Sequence, residues 1–386
     1  MNPDDFRSPE AGRVIKTSSG YHAFVPAPLP PDIQYDPNLV LALSRADTAL
    51  SELSGLGRLL PNPHSLINPY MRLEAVLSSR IEGTKADLSD LWLDEVEPGI
   101  QDRDVADIQE VRNYITALEY GIQRLSELPL SKRLTREIHA RLMQGVRGEQ
   151  STPGDFRRTQ NWIGSPGSTL TNAQYVPPPP EEMQIALDNW ESFLHDRESF
   201  PDLIQCAVMH EQFEAIHPFL DGNGRVGRLL ITLFLIERGR MSQPLLYLSQ
   251  YFEASRQNYY TALQRVRTEG DWLGWLMYFL EGVVLTARQA LHHADELMNL
   301  REAFRLKVRD KPKAVALLDE LFINPYITVA RAGELLQVSH PTASQAIEYL
   351  QQNGLLEEIT GRSWGRVYLA RPILAVLEQP TLTGSR

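Results

Sequence analysis

The sequence predicts a mainly α-helical fold of two or three domains. Three observations carry this expectation. The chain is 386 residues long, and domains of ~100–200 residues are usual. Apolar residues recur at helical spacing over long stretches, as in Leu73, Val76, Leu77 and Ile81 at i, i+3, i+4 and i+8. Strand-like texture is confined to two places, each a pair of short stretches around a glycine-containing turn.

In chain order, residues 1–36 hold Pro26, Pro28, Pro30 and Pro31 with little periodicity, which reads as an extended arm laid over the fold. Residues 38–81 are helical in pattern, and Gly83 is placed to stop them. Further helical patterns cover 102–128, 131–145 and 181–196. Between them, 157–180 carries Gly164, Pro166, Gly167 and four prolines at 177–180. The stretches 160–163 and 173–176 flank the turn, so a loose β-hairpin is expected, with a plain surface loop as the alternative. Two helices, 202–216 and 225–238, enclose a loop, and Gly239 stops the second. Two or three more helices run to about 310.

From 311 the texture changes. A helix is expected over 312–322, a second over 328–336 with Thr328 as N-cap, and a third over 341–352 stopped by Gly354. Two short strands then surround Thr360-Gly361-Arg362. Helix, helix–turn–helix, hairpin is the winged-helix order. The expected division is an N-terminal helical region over 1–100, a main helical core over 101–310 and a winged helix–turn–helix domain over 311–386.

Composition narrows the function. With 42% hydrophobic and 23% charged residues, the chain has ordinary globular texture, which excludes fibres and wholesale disorder. A net charge of −11 disfavours general binding to nucleic acid or anionic membranes but permits a local basic pocket. The single cysteine, Cys206, allows no intrachain disulfide and makes a cysteine-based zinc site untenable. The longest apolar run, 229–236, falls far short of the ~20 residues a membrane span needs. The start lacks the pattern of a secretory signal. A soluble, cytoplasmic protein is expected.

The informative segment is His217-Pro218-Phe219-Leu220-Asp221-Gly222-Asn223-Gly224-Arg225-Val226-Gly227-Arg228. Gly222 and Gly224 flank Asn223 just before a helix, where free N–H groups form an anion site that a ligand can approach closely. Arg225 and Arg228 stand at i and i+3 in the first turn. Cations there oppose the helix dipole by ~0.3–1 kcal/mol each, which a bound polyanion would offset. Arg also suits bidentate phosphate contact. Asp221 beside such a site suits Mg²⁺ held by one carboxylate and phosphate oxygens. His217, with an ordinary pKa near ~6.5, can accept a proton at neutral pH. The set describes a phosphate cradle with a metal ligand and a general base. The string Gly222-x-Gly224-x-x-Gly227 also fits a dinucleotide fingerprint, but that motif follows a strand and here the preceding residues are helical. His210-Glu211 opens like a zinc-helix motif, but position 214 is Glu rather than His.

Residues 217–228 resemble the Fic family signature, H-x-F-x-[D/E]-G-N-G-R-x-x-R, at every fixed position. Tyr247-Leu248-Ser249, Tyr251-Phe252, Tyr259-Tyr260 and Gly270-Asp271-Trp272 resemble its downstream helices, and the 161–176 hairpin its target-docking flap. The resemblance implies a Fic helical core acting as a protein adenylyltransferase. Such an enzyme moves AMP from ATP to a Ser, Thr or Tyr hydroxyl of a protein, self-modification included, and releases pyrophosphate. Carried over, His217 is the general base and Asp221 holds Mg²⁺. Gly222, Asn223 and Gly224 form the anion hole, with Asn223 orienting the α-phosphate. Arg225 and Arg228 bind the β- and γ-phosphates, Phe219 anchors the loop, and Tyr259 borders the adenine. The resemblance also implies a homodimer.

Ser78-x-x-x-Glu82-Gly83 resembles the family's inhibitory motif, [S/T]-x-x-x-E-[G/N], in the class II position N-terminal to the signature. Ser78 and Glu82 are at i and i+4 and share a helix face. If that helix docks at the phosphate site, Glu82 pairs with Arg228 in place of the γ-phosphate and displaces the α-phosphate from the line of attack. The alternatives are an enzyme that removes AMP from proteins using Glu82, and a nucleotide-sensing DNA-binding regulator. Against DNA binding, residues 311–386 balance seven cations with seven anions, and 341–352 has no Lys or Arg.

Overall fold

The computed structural model describes residues 1–59, 64–98, 105–146, 152–165 and 167–379. The expected boundary at 100/101, the start of the 102–128 pattern and Pro166 of the hairpin lie outside the described residues.

The N-terminal segment is more than an arm. Strand β1 (Gly12–Lys16) pairs antiparallel with β2 (His22–Pro26), Gly12 opposite Pro26 and Lys16 opposite His22. The Thr17-Ser18-Ser19-Gly20 turn between two apolar stretches is the signal that proline density hides. The helical pattern over 38–81 resolves into α1 (Pro37–Leu59) and α2 (His64–Ile81). A short helix absent from the sequence expectation follows, α3 (Leu88–Val96), opened by a reciprocal Asp87–Asp90 capping box.

The main unit continues with α4 (Val105–Arg124), α5 (Lys132–Leu142), α6 (Pro180–Leu194), α7 (Asp202–Ile216) and α8 (Asn223–Glu237). After these come α9 (Ser249–Ala254), α10 (Arg256–Glu269) and α11 (Trp272–Val308). Helix α7 is the central element, buried at every position from Leu203 to Ile216. That explains its lack of an amphipathic stripe: a helix surrounded by others needs no polar face. Helix α8 packs against it, and its Val226, Leu229, Leu230 and Leu233 are fully buried, worth ~1.5–3 kcal/mol each as transfer from water. The loop joining these two buried helices is thereby held from both sides. Helix α11, 37 residues long, packs against α1 and α10 and against α12 and α15 of the C-terminal elements.

Those elements are α12 (Pro312–Leu321), β3 (Tyr326–Thr328), α13 (Val329–Leu336), α14 (His340–Gln352), β4 (Glu357–Glu358), β5 (Val367–Leu369) and α15 (Arg371–Leu377). Thr328 caps α13 through the Arg331 N–H, and β3-β5-β4 form a three-stranded antiparallel sheet. Strand β3 and α15 are absent from the sequence expectation; a three-residue strand that ends on the N-cap Thr328 is too short to show alternation. The module docks on α3, where Asn324 Nδ2 donates to Trp92 O at 3.2 Å and Ser89 Oγ to Glu378 Oε1 at 3.3 Å.

Candidate active site

His217 is the C-cap of α7, in left-handed conformation with φ 49° and ψ 61°. This turns the chain out of the helix and into the loop 218–222. Asn223 closes that loop: its Oδ1 accepts the Phe219 N–H and its Nδ2 donates to Phe219 O, both at 2.8 Å. The Asn223 side chain is therefore committed inside the loop. Phe219 is fully buried and stacks on the His139 ring at 3.7 Å and 6°. His139, which sequence reasoning missed, accepts the Gly154 N–H at Nδ1 (2.8 Å) and so donates from Nε2 to Asp221 O (3.1 Å). Burial pushes its pKa down to about 4, consistent with that neutral tautomer.

Gly222 caps α8 at φ 76° with no side-chain capping bond. The first N–H groups of α8 have no partner one turn back, so they face the space above the helix start. A Cβ at Gly224 would lie 2.2 Å from Glu82 Oε1 and 2.9 Å from Arg228 Nη1. The Glu82 carboxylate thus sits directly over the helix start, an approach that only glycine at 224 permits. Arg228, with a side chain 2% exposed, donates from Nη2 to Glu82 Oε1 at 2.7 Å. It also donates from Nε to Ser78 Oγ at 2.8 Å and from Nη2 to Ser78 O at 2.9 Å. Gly83, at φ 102°, ends the helix that carries Ser78 and Glu82, and the Thr84 N–H returns to Ser79 O at 3.2 Å. Burial alone would raise the Glu82 pKa, but Arg228, then Arg225 and His217, outweigh it and hold the carboxyl below its usual range.

Arg225 is held less firmly. Its Nη1 meets Glu110 Oε2 at 3.4 Å and its Nη2 lies 4.0 Å from Asp221 Oδ1, while its buried Nε has no partner among the described residues. Asp221, its side chain half exposed, accepts the Gly222 N–H at 2.6 Å. Burial, then Arg157 and Arg267, push His217 down to about 3 against the opposing pull of Glu82. Its imidazole is neutral at pH 7, with Nδ1 unpartnered among the described residues. Glu214, one turn earlier, is buried with Oε1 unpartnered among the described residues, and burial lifts its pKa to about 7.

Tyr259 lies deeper than the sequence expectation had it. It is 1% exposed, stacks on Phe252 at 4.4 Å and shares a 2.8 Å hydrogen bond with His210 Nε2, whose Nδ1 bonds Gly227 O. Tyr259 thus packs in the core, joined through His210 to Gly227 of α8. Its neighbour Tyr260, about 100° around the helix, is the exposed ring and donates to Ile81 O at 3.4 Å. Among the described residues the hairpin at 161–176 is held by one bridge, with Ile163 and Tyr175 exchanging N–H···O bonds at 2.8 and 3.1 Å. Strand β2 supports it from behind, the Phe24 N–H donating to Val176 O at 2.9 Å.

Residues 40–123 match the Fic/DOC family N-terminal domain and residues 129–235 the Fic/DOC family domain. The chain therefore carries a Fic/DOC N-terminal domain and a Fic/DOC domain. The Fic signature lies in the second matched segment, and Ser78 and Glu82 lie in the first. The chain is 29% identical over 204 residues to a protein adenylyltransferase Fic of Aedes aegypti, covering 52% of this chain and 37% of that protein. It is 26% identical over 189 residues to a probable protein adenylyltransferase of Aquifex aeolicus, covering 48% and 53%. The chain thus spans about half or less of the length of these relatives. In three dimensions it resembles the crystal structure of a Fic family protein from Desulfovibrio desulfuricans G20, with a TM-score of 0.57 at 18% identity over 93% of this chain and 100% of that one. That likeness shows a shared fold. No helix among the described residues is long and apolar enough to cross a membrane.

Proposed function

We propose that this Fic chain is a protein adenylyltransferase that transfers AMP from ATP to a Ser, Thr or Tyr hydroxyl of a target protein, its own chain included. The observation that carries this reading is the combination at 217–228. A neutral imidazole ends α7, an uncapped helix start faces it across a pinned loop, and two buried guanidinium groups line the first turn of α8. A triphosphate suits that cradle. His217 takes the proton of the incoming hydroxyl, its oxygen bonds to the α-phosphorus, and the bond to the pyrophosphate oxygen breaks. The free N–H groups of α8 receive the α-phosphate oxygens, and Arg225 and Arg228 take charge on the departing pyrophosphate. The protein's part is positioning and charge stabilisation.

Asp221 fits a magnesium ion bound by one carboxylate plus phosphate oxygens, since its side chain is half exposed beside the helix start. Among the described residues no cluster of three or more His, Cys, Asp or Glu could hold a metal alone. Magnesium, when bound, would neutralise phosphate charge there.

In the same reading the chain is autoinhibited. Glu82 occupies Arg228 and the space over Gly224, so a γ-phosphate must displace it. Target backbone docks on the 161–176 hairpin. We divide the chain into 1–100, 101–310 and 311–386, read it as a homodimer on the family resemblance alone, and read the last segment as a winged-helix module. Its third helix, α14, offers DNA no Lys or Arg.

The test is intact-mass analysis after incubation with Mg·ATP. Glu82→Gly gains the mass of AMP less water, and Glu82→Gly/His217→Ala does not. Absence of any adduct, on itself or on added cell extract, with a salt-sensitive DNA shift instead, selects the regulator. Loss of AMP from a modified protein that depends on Glu82 selects the removal enzyme.

A further inference from the structure

Arg157 is 2% exposed, and its guanidinium is met by main-chain carbonyls. Nε donates to His217 O at 3.0 Å, Nη2 to Ile216 O at 3.4 Å and to Pro178 O, and Nη1 to Thr159 O at 3.3 Å. The Arg157 N–H donates to Pro218 O at 2.9 Å. Asn161 Nδ2 donates to His217 O at 3.3 Å and to Phe219 O at 2.8 Å. Every carbonyl from 216 to 219 therefore accepts a hydrogen bond from Arg157 or Asn161.

We propose that Arg157 is a positioning residue, which locks the His217 main chain in its left-handed turn and ties that turn to the base of the 161–176 hairpin. The argument begins with the helix end. The last carbonyls of α7 have no intrahelical donors and carry the negative end of the dipole. A guanidinium fork supplies several donors in one plane and the opposite charge. Only a side chain of this geometry can bond carbonyls 216 and 217 while also reaching Pro178, where the chain leaves the hairpin. An exposed turn would recruit water; a buried cation here is costly to keep and is retained because it fixes the imbalance of a strained, non-glycine turn. The same cation faces the imbalance of charge at the imidazole. Around His217 stand Arg157, Arg267, Glu82 and the Glu214 main chain, with Glu211 partly neutralising Arg267 at 3.1 Å. Arg157 thus both aims the ring and favours its neutral form.

This proposal rests on the transfer reading for its kinetic arm only. In the Glu82→Gly background, Arg157→Gln lowers kcat about 100-fold, the loss expected for a reacting group misplaced by about an ångström, while the Kd for Mg·ATP stays within about twofold. Arg157→Lys keeps the charge but not the fork, and lowers kcat without moving the acid limb of the pH profile. The arm that needs no turnover is an NMR titration of His217. Its proton affinity rises about tenfold in Arg157→Gln, the change expected when a facing buried cation is removed, and stays near wild type in Arg157→Lys. An unchanged His217 titration in folded Arg157→Gln overturns the electrostatic part. Wild-type kcat in both variants, or kcat and ATP affinity falling together, overturns the positioning part. If Glu82→Gly transfers no AMP, the transfer reading fails, and the titration still decides the role of Arg157 at the turn.

Discussion

Removing the Glu82 carboxylate should loosen one defined contact. Arg228 is 2% exposed and Glu82 35%, and they meet at 2.7 Å. A fully exposed pair is worth ~0–1 kcal/mol, and breaking a fully buried one by removing one partner costs ~3–5 kcal/mol. The partial exposure of Glu82 places this contact between those limits. Arg228 keeps its bonds to Ser78 Oγ and Ser78 O, so it is not orphaned, and we expect about 2 kcal/mol, a factor of roughly 30. A γ-phosphate that must displace the carboxylate faces that same penalty. Calorimetric titration with Mg·ATP should therefore show Glu82→Gly binding up to about 30-fold more tightly than wild type. The nucleotide-free variant should also be less stable. Because the carboxyl is held below its usual range, its contribution is fully present above the unfolded-state pKa near ~4.5 and is lost as pH falls through the lower folded value. The stability gap between wild type and Glu82→Gly should be level from pH 6 to 8 and close at more acid pH. Equal ATP affinity within twofold at pH 7.5, with no faster AMP transfer, would refute the account of the brake.

Gly224→Ala places a methyl 2.2 Å from Glu82 Oε1, so it should cost about 1–3 kcal/mol as overpacking. Part of that loss should return in Glu82→Gly/Gly224→Ala, measured as a double-mutant cycle by denaturant unfolding. Glu214, with its pKa raised to about 7 from 4.5, binds a proton more tightly folded than unfolded, so stability should decline as pH rises from about 4.5 to 7. Glu214→Gln should flatten that decline and gain on the order of 3 kcal/mol at pH 8, read from urea midpoints. His139→Phe keeps the stack on Phe219 but loses both hydrogen bonds of the ring, and should cost ~1–3 kcal/mol. The wild-type advantage should fade below pH 6.5, where protonation opposes the buried neutral ring.

Much of this protein follows from local chemistry that a sequence displays. Helical periodicity marks α2, α5 and α8, and Thr328 marks the start of α13 through its own side chain. The run from His217 to Arg228 places a base, a carboxylate, two glycines and two cations within one loop and one helical turn, so their proximity needs no long-range folding. Glu82 and Ser78 are legible as one helix face for the same reason. What the sequence could not supply was which distant groups meet. That Glu82 lies over Gly224 depends on the packing of α2 against α8, across 142 positions of chain. His139 beneath Phe219, and Arg157 with Asn161 against the four carbonyls 216–219, have no periodic signature, because most of their partners are main-chain atoms that every residue carries. Tyr259 and Tyr260 are adjacent in sequence, yet one is core and the other surface, a distinction set by how α10 is rotated against its neighbours. Spacing along the chain determines which groups share a turn or a face; the desolvation that holds His217 neutral, and the Arg228 contact that keeps Glu82 charged against its own burial, exist only once the helices have closed around them.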